Sequence, residues 1–152
     1  MIGLHKILSH IVVMLILISM QSSVSAEISD IKTLDDSATN DRSLGEKWGI
    51  QVLSMRLSAH GHMLDFRYRV KDVEKASPLF SAKIKPYLID QESGAMFLVP
   101  EPPRIGPLRT TRKPIPDRNY FILFANPGKY VKPGNKITVV IGDFRAENLV
   151  VQ

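Results

Sequence analysis

Cysteine is absent from all 152 residues. That removes disulfides, thiolate metal sites and cysteine nucleophiles together. Tryptophan occurs once, at Trp48, and aromatic residues make up only 7 % of the chain. Interleaving of basic with aromatic residues is sparse, the one short run being Phe66–Arg69, so a nucleic-acid surface is not expected. No GxSxG elbow, HExxH pair or phosphate-cradling glycine loop is present, and without such constellations the chain reads as a non-enzyme. An amphipathic helical stretch is also missing. The apolar run Ile11–Ile18 falls well short of the roughly 20 residues that a membrane-spanning helix needs.

That run instead has the layout of a secretory signal peptide. Lys6 precedes it, and Val24-Ser25-Ala26 places small residues at −3 and −1 of a cleavage site before Glu27. Residues 1–26 are therefore expected to be a leader, with no transmembrane anchor left after cleavage, and the protein is expected to be periplasmic or secreted. Without disulfides, an exported domain must be held by packing and strand pairing alone. The formal net charge of +5 falls by one unit if Lys6 leaves with the leader. Such a mild excess bears on solubility and on attraction to anions rather than on fold.

Residues 27–47 are polar and show no apolar period; they read as a flexible N-terminal segment with a short helical turn at Ile28–Leu34. At Trp48 the pattern changes to period two, and residues 48–152 read as one domain. Trp48–Val70 is expected to be a hairpin with its tip at Ser58–His62. Ile50 and Val52 share one face, whereas Leu53, Met55 and Leu57 share the other, so a bulge or a crossing between sheets is expected at Val52–Leu53. In the return strand Leu64, Phe66, Tyr68 and Val70 alternate with Asp65, Arg67 and Arg69, which read as an exposed ion-pair ladder.

Asp72–Ala82 is a connection broken by Pro78. Lys83–Ile89 reads as a strand whose Pro86 argues for an edge position or a bulge, and with Ala95–Val99 it forms a second hairpin about a turn at Asp90–Gly94. Tyr120–Ala125 is apolar on both parities, as expected of a central strand covered on both sides or by the proline-rich loop. Lys136–Ile141 and Phe144–Val151 close the domain about Gly142-Asp143, with the C-terminus tied into a sheet. About seven short strands with regularly spaced turns indicate an all-β fold, an immunoglobulin-like antiparallel β-sandwich, with a small barrel as the alternative.

Pro100–Asn119 has neither period. It carries six prolines, and Arg104, Arg109, Arg112, Lys113 and Arg118 stand there against Glu101 and Asp117. A loop this long in a small domain is expected to be either functional or disordered, and proline density favours a semi-rigid extended arm. Arginines along such an arm meet carboxylates or phosphates with a bidentate fork. Arg104, Arg109, Arg112 and Lys113 are thus the candidate partner-binding residues, facing an envelope protein or an anionic surface. A second candidate is the tip, where His60, His62 and Met63 combine imidazole and thioether ligands that suit copper. Met55 or Met96 would complete that site, and it would need an extended tip for the two imidazoles to point the same way. Asp65, Asp90, Glu92 and Asp143 suggest no catalytic pair by spacing.

Three segments carry a resemblance: GIQVLSMRLSAHGHMLDFRYRV, KPYLIDQESGAMFLVP and YFILFANPGKYVKPGNKITVVIGDFRAENLVVQ. Together, from Gly49 to Gln152, they resemble a group of uncharacterised exported bacterial proteins. The resemblance implies a bacterial envelope setting and brings no activity or site residue with it. More loosely, the strand spacing and the Lys132-Pro133-Gly134 turn resemble the immunoglobulin-like accessory domains of bacterial envelopes, without the Cys…Trp…Cys core of antibody domains. The combined expectation is a non-catalytic binding or assembly module without a cofactor. It would act through the basic arm or by strand addition at a sheet edge; the alternative is a periplasmic copper-binding accessory protein.

Overall fold

The computed structural model describes residues 42–152. The expected leader and the helical turn at Ile28–Leu34 lie outside the described residues. Residues 42–48 are helical (α1), so the polar lead-in enters the domain as a helix that buries Leu44. Gly49 ends α1. Its N–H donates to Gly45 O at 3.0 Å, and its carbonyl accepts from Lys71 and Asp72 N–H at 2.7 and 3.0 Å. Its φ is +61°, and a Cβ there would lie 2.6 Å from Asp72 Cβ; only glycine fits both the torsion and the space.

β1 (Ile50–Ser58) and β2 (Met63–Val70) form the expected antiparallel hairpin, with the register slipping between Val52 and Ser54. Leu53 is the extra residue, turned outward at 39 % exposure, so the parity change marks a bulge. β2 then leads into α2 (Val73–Ala76), a single turn that the polar connection did not announce. Asp72 caps it, accepting from Glu74 and Lys75 N–H at 3.0 and 3.2 Å, and a 3₁₀ turn at Ser77–Phe80 buries Leu79 and Phe80.

β3 (Tyr87–Asp90) pairs with β4 (Met96–Leu98) as a hairpin. Pro86, however, does not mark an edge. β3 lies between β4 and a later strand, and it begins one residue after Pro86, so the missing N–H falls outside the ladder. β5 (Asn119–Ala125) pairs with β2. β6 (Lys136–Ile141) and β7 (Phe144–Val150) form the last hairpin. The result is two antiparallel sheets, ordered β1-β2-β5 and β4-β3-β6-β7. β5 is therefore an outer strand rather than a central one, and Phe121 on its outer face is exposed.

The sheets bury one common cluster. Phe66 and Phe124 enter it from the first, Leu88, Val139 and Phe144 from the second, and Trp48 meets Phe144 edge-on at 5.8 Å. Each fully buried aromatic or aliphatic side chain contributes about 1.5–3 kcal/mol, which replaces the missing disulfides. The C-terminus is tied in as expected: Gln152 N–H donates to Met55 O at 2.9 Å and Gln152 O accepts from Leu57 N–H at 3.0 Å. This covers part of β1's outer edge.

The charged row of β2 departs from an exposed ladder. Asp65 is only 3 % exposed. It sits mid-sheet between Arg56 on β1 and Leu123 on β5, and its Oδ2 accepts from Arg67 Nε at 2.9 Å with Arg56 Nη2 at 3.5 Å. The two arginines stay about half exposed, so their stems cover the carboxylate while their heads keep water.

Candidate functional site: the basic arm and its cleft

The proline-rich arm is pinned at both ends and in its middle. Pro102 O accepts from Ile105 and Gly106 N–H, making a turn, and Leu108 N–H returns to Pro100 O at 3.0 Å. Leu108 O then accepts from Leu123 N–H at 3.0 Å, and Arg109 bridges Ile122, so the arm occupies the outer edge of β5. Further on, Ile115 N–H donates to the Tyr120 hydroxyl at 2.8 Å. Asp117 N–H donates to Val70 O, and Val70 N–H to Arg118 O, which ties the arm's root to the end of β2. Six prolines remove six N–H donors from the arm, and these bonds serve several of the rest.

Between the arm and β5 lies a cleft of about 640 Å³. Arg109, Arg112, Lys113 and Arg118 line it, with Thr110, Thr111, Asn119, Tyr120 and Phe121, and no Asp or Glu does. Asp117, the nearest acid in sequence, is turned to solvent and spent on Lys71 Nζ at 2.9 Å. Lys71 holds the Asp117 carboxyl below its ordinary range, by hydrogen bond first and by charge second. A smaller cavity of about 210 Å³ lies on the other side of Arg109, lined by Ile84, Lys85, Pro86, Glu101 and Thr111 among others.

Arg109 lines both spaces, together with Pro107 and Thr111, and is only 8 % exposed. Its Nη2 donates to Ser81 O at 2.6 Å, while Nη1 is buried without a partner. No carboxylate among the described residues pairs with it. Beneath it is an aromatic floor: Tyr68 lies 6.0 Å from Tyr120 and 6.2 Å from Phe80, and Phe80 meets Tyr120 edge-on at 4.8 Å. Burial pushes the Tyr68 phenol well above its ordinary value. Arg109 works against that shift, and Tyr120 adds to it. Burial likewise lowers the Arg109 guanidinium, with Tyr68 opposing.

Of the four arm residues singled out from sequence, Arg109, Arg112 and Lys113 converge on the cleft, and Arg104 points to solvent outside its lining. Arg109 departs from the image of a free cation along an exposed arm, because Tyr68 and Ser81, distant in sequence, enclose it. Arg118 also lines the cleft, a contact that its position in the sequence makes readable. It immediately precedes β5, which begins at Asn119, so it sits at the arm's root.

The tip does not gather the copper ligands. Ala59–Gly61 forms a 3₁₀ turn with φ of 48° at Ala59 and 55° at His60, so the extended strand required to align the imidazoles is not present. His60 and His62 are exposed, Met63 is paired to Ala125, Met55 is in the core and Met96 lies on β4 of the other sheet. No group of three His, Cys, Asp or Glu suited to a metal occurs among the described residues. The carboxylates are equally dispersed. Asp90 is spent on Ser93 N–H and Oγ, while Glu92 and Asp143 are exposed at separate turns.

Among the described residues no helix is long and apolar enough to cross a membrane. No protein-family model, curated protein or solved structure matches this chain.

Proposed function

We propose that the protein is a non-catalytic binding module of the bacterial envelope, exported by its leader and built as an immunoglobulin-like sandwich, that engages an anionic partner through the proline-rich arm. The observation that carries this reading is the cleft with four cations and no carboxylate on its walls. Like charges drawn together around a concave space raise the local concentration of anions. The alternative mode, strand addition, is less favoured at the first sheet: Gln152 lies along β1's outer edge, and Leu108–Arg109 lie along that of β5.

The test is binding of polygalacturonate, a carboxylated polymer, followed by titration calorimetry over a range of salt. The wild type should bind with an affinity that falls steeply as salt rises. Arg112→Ser/Lys113→Ser/Arg118→Ser should lose most of that binding with its melting temperature intact. Equal binding by the triple variant would sink the proposal. Export is tested separately by fractionation of tagged cells; retention of the full-length chain in the cytoplasm would refute it.

A further inference from the structure

The rim cations explain attraction but not Arg109. A solvated surface arginine needs no partner, whereas a charge taken out of water requires a counter-charge or a full set of hydrogen-bond acceptors. Arg109 is 8 % exposed, has one carbonyl on Nη2 and nothing on Nη1. Thr110 and Thr111 follow it in the chain, Asn119 stands across the cleft, and the half-exposed Phe121 ring borders the opening. The volume, about 640 Å³, is in the range of small-molecule sites and far exceeds what a lone anion fills.

We infer that the cleft is a receptor for one oxyanion, a carboxylate or a phosphate, carried on a sugar-sized, hydroxyl-bearing ligand, with Arg109 as its buried anchor. This rests on the anionic-partner reading and adds to it a single stoichiometric site. The Arg109 guanidinium, which lines the cleft, binds the oxyanion, and the bond from Nη2 to Ser81 O holds its rotamer. Thr110 and Thr111 take the hydroxyls, with the amide Nδ2 of Asn119, whose Oδ1 already accepts from Arg69 Nε at 2.8 Å. Arg112, Lys113 and Arg118 at the rim draw the ligand in and lend it no geometry. Bidentate matching distinguishes Arg from Lys at such a position.

Glucuronate and glucose 6-phosphate are the probes, with glucose as the neutral control. Binding is followed by calorimetry and by the Arg109 Nε–H resonance of the wild type. Either charged sugar should bind at one site, move that resonance saturably and raise the melting temperature. Whichever binds more tightly identifies the oxyanion. Arg109→Lys should weaken binding by about tenfold or more. Arg109→Met should abolish it without loss of fold, since an apolar side chain relieves the buried charge. Arg112→Ser should cost only a few-fold and flatten the salt dependence.

No saturable shift with either charged sugar, equal binding of glucose, or undiminished binding by Arg109→Lys and Arg109→Met would each overturn the inference. If the charged sugars fail while polygalacturonate still binds through the rim, only the single-site inference falls. If the rim variant binds polymer normally, the broader reading falls.

Discussion

Asn126 is the sharpest test of how this domain is held together. It is fully buried, and its side chain makes three hydrogen bonds. Nδ2 donates to Gly61 O and Val131 O, each at 2.9 Å, and Oδ1 accepts from Val131 N–H at 3.0 Å. One amide thus fastens the hairpin tip of β1–β2 to the loop that precedes β6. Asn126→Ala strands both polar groups of Val131, itself fully buried, and a half-buried Gly61 carbonyl that water can reach. With about 1–3 kcal/mol for each buried group left unpaired, the loss is about 3–5 kcal/mol. That is a large part of the roughly 5–15 kcal/mol available to a domain of this kind, and it corresponds to a melting point lower by roughly 12–20 °C. Trp48, the only tryptophan, reports unfolding through its contact with Phe144, so urea titration by fluorescence is the assay. Asn126→Asp should be no better at neutral pH, because it turns a carboxylate oxygen toward two carbonyls. A loss below about 1 kcal/mol for Asn126→Ala would mean that the side chain is not the fastener.

Other substitutions probe other parts of the argument. Gly49→Ala combines φ of +61° with a contact of 2.6 Å to Asp72 Cβ, and should cost about 2 kcal/mol or more in the same urea assay. Asp65→Leu removes a buried carboxylate whose Oδ1 has no partner, and its arginines can return to water. Stability should change by less than about 1 kcal/mol in either direction, and a larger loss would make the Arg56–Asp65–Arg67 group a true stabiliser. Asp117 has its carboxyl held low by Lys71. Whatever the pair contributes is present above the unfolded carboxyl value and is lost as pH falls through the lower folded value. An NMR titration of Asp117 should therefore move upward in Lys71→Ala; an unmoved titration would refute the pairing.

The strand framework was legible because it is written in local pattern. The parity change at Val52–Leu53 gave the bulge, and turn residues gave the β3–β4 and β6–β7 hairpins. What could not be read depended on partners far along the chain. Asp65 looks solvent-facing until Arg56 and Leu123 flank it, and Asn126 looks like ordinary turn chemistry before Pro127 until Gly61 closes over it. Arg109 is one of five similar cations in the arm, and only Tyr68, Ser81 and the edge of β5 make it different. The tip illustrates the converse: His60 and His62 are correctly spaced on paper, but the left-handed torsions at Ala59 and His60 remove the alignment that the spacing assumed.

The order β1-β2-β5 also sets the timing of assembly. β2 pairs with β1 across a short tip, but its other edge must wait for β5, with Arg69 meeting Asn119 at a separation of 50 residues. The hairpin can close quickly, on the microsecond scale typical of such units, whereas the sheet is completed only by a slow, non-local search. Until then the Phe66 and Tyr68 face and an unpaired strand edge stand open to neighbouring chains. The arm follows β5 into place, so a basic cleft complete with its buried arginine also signals that folding has finished.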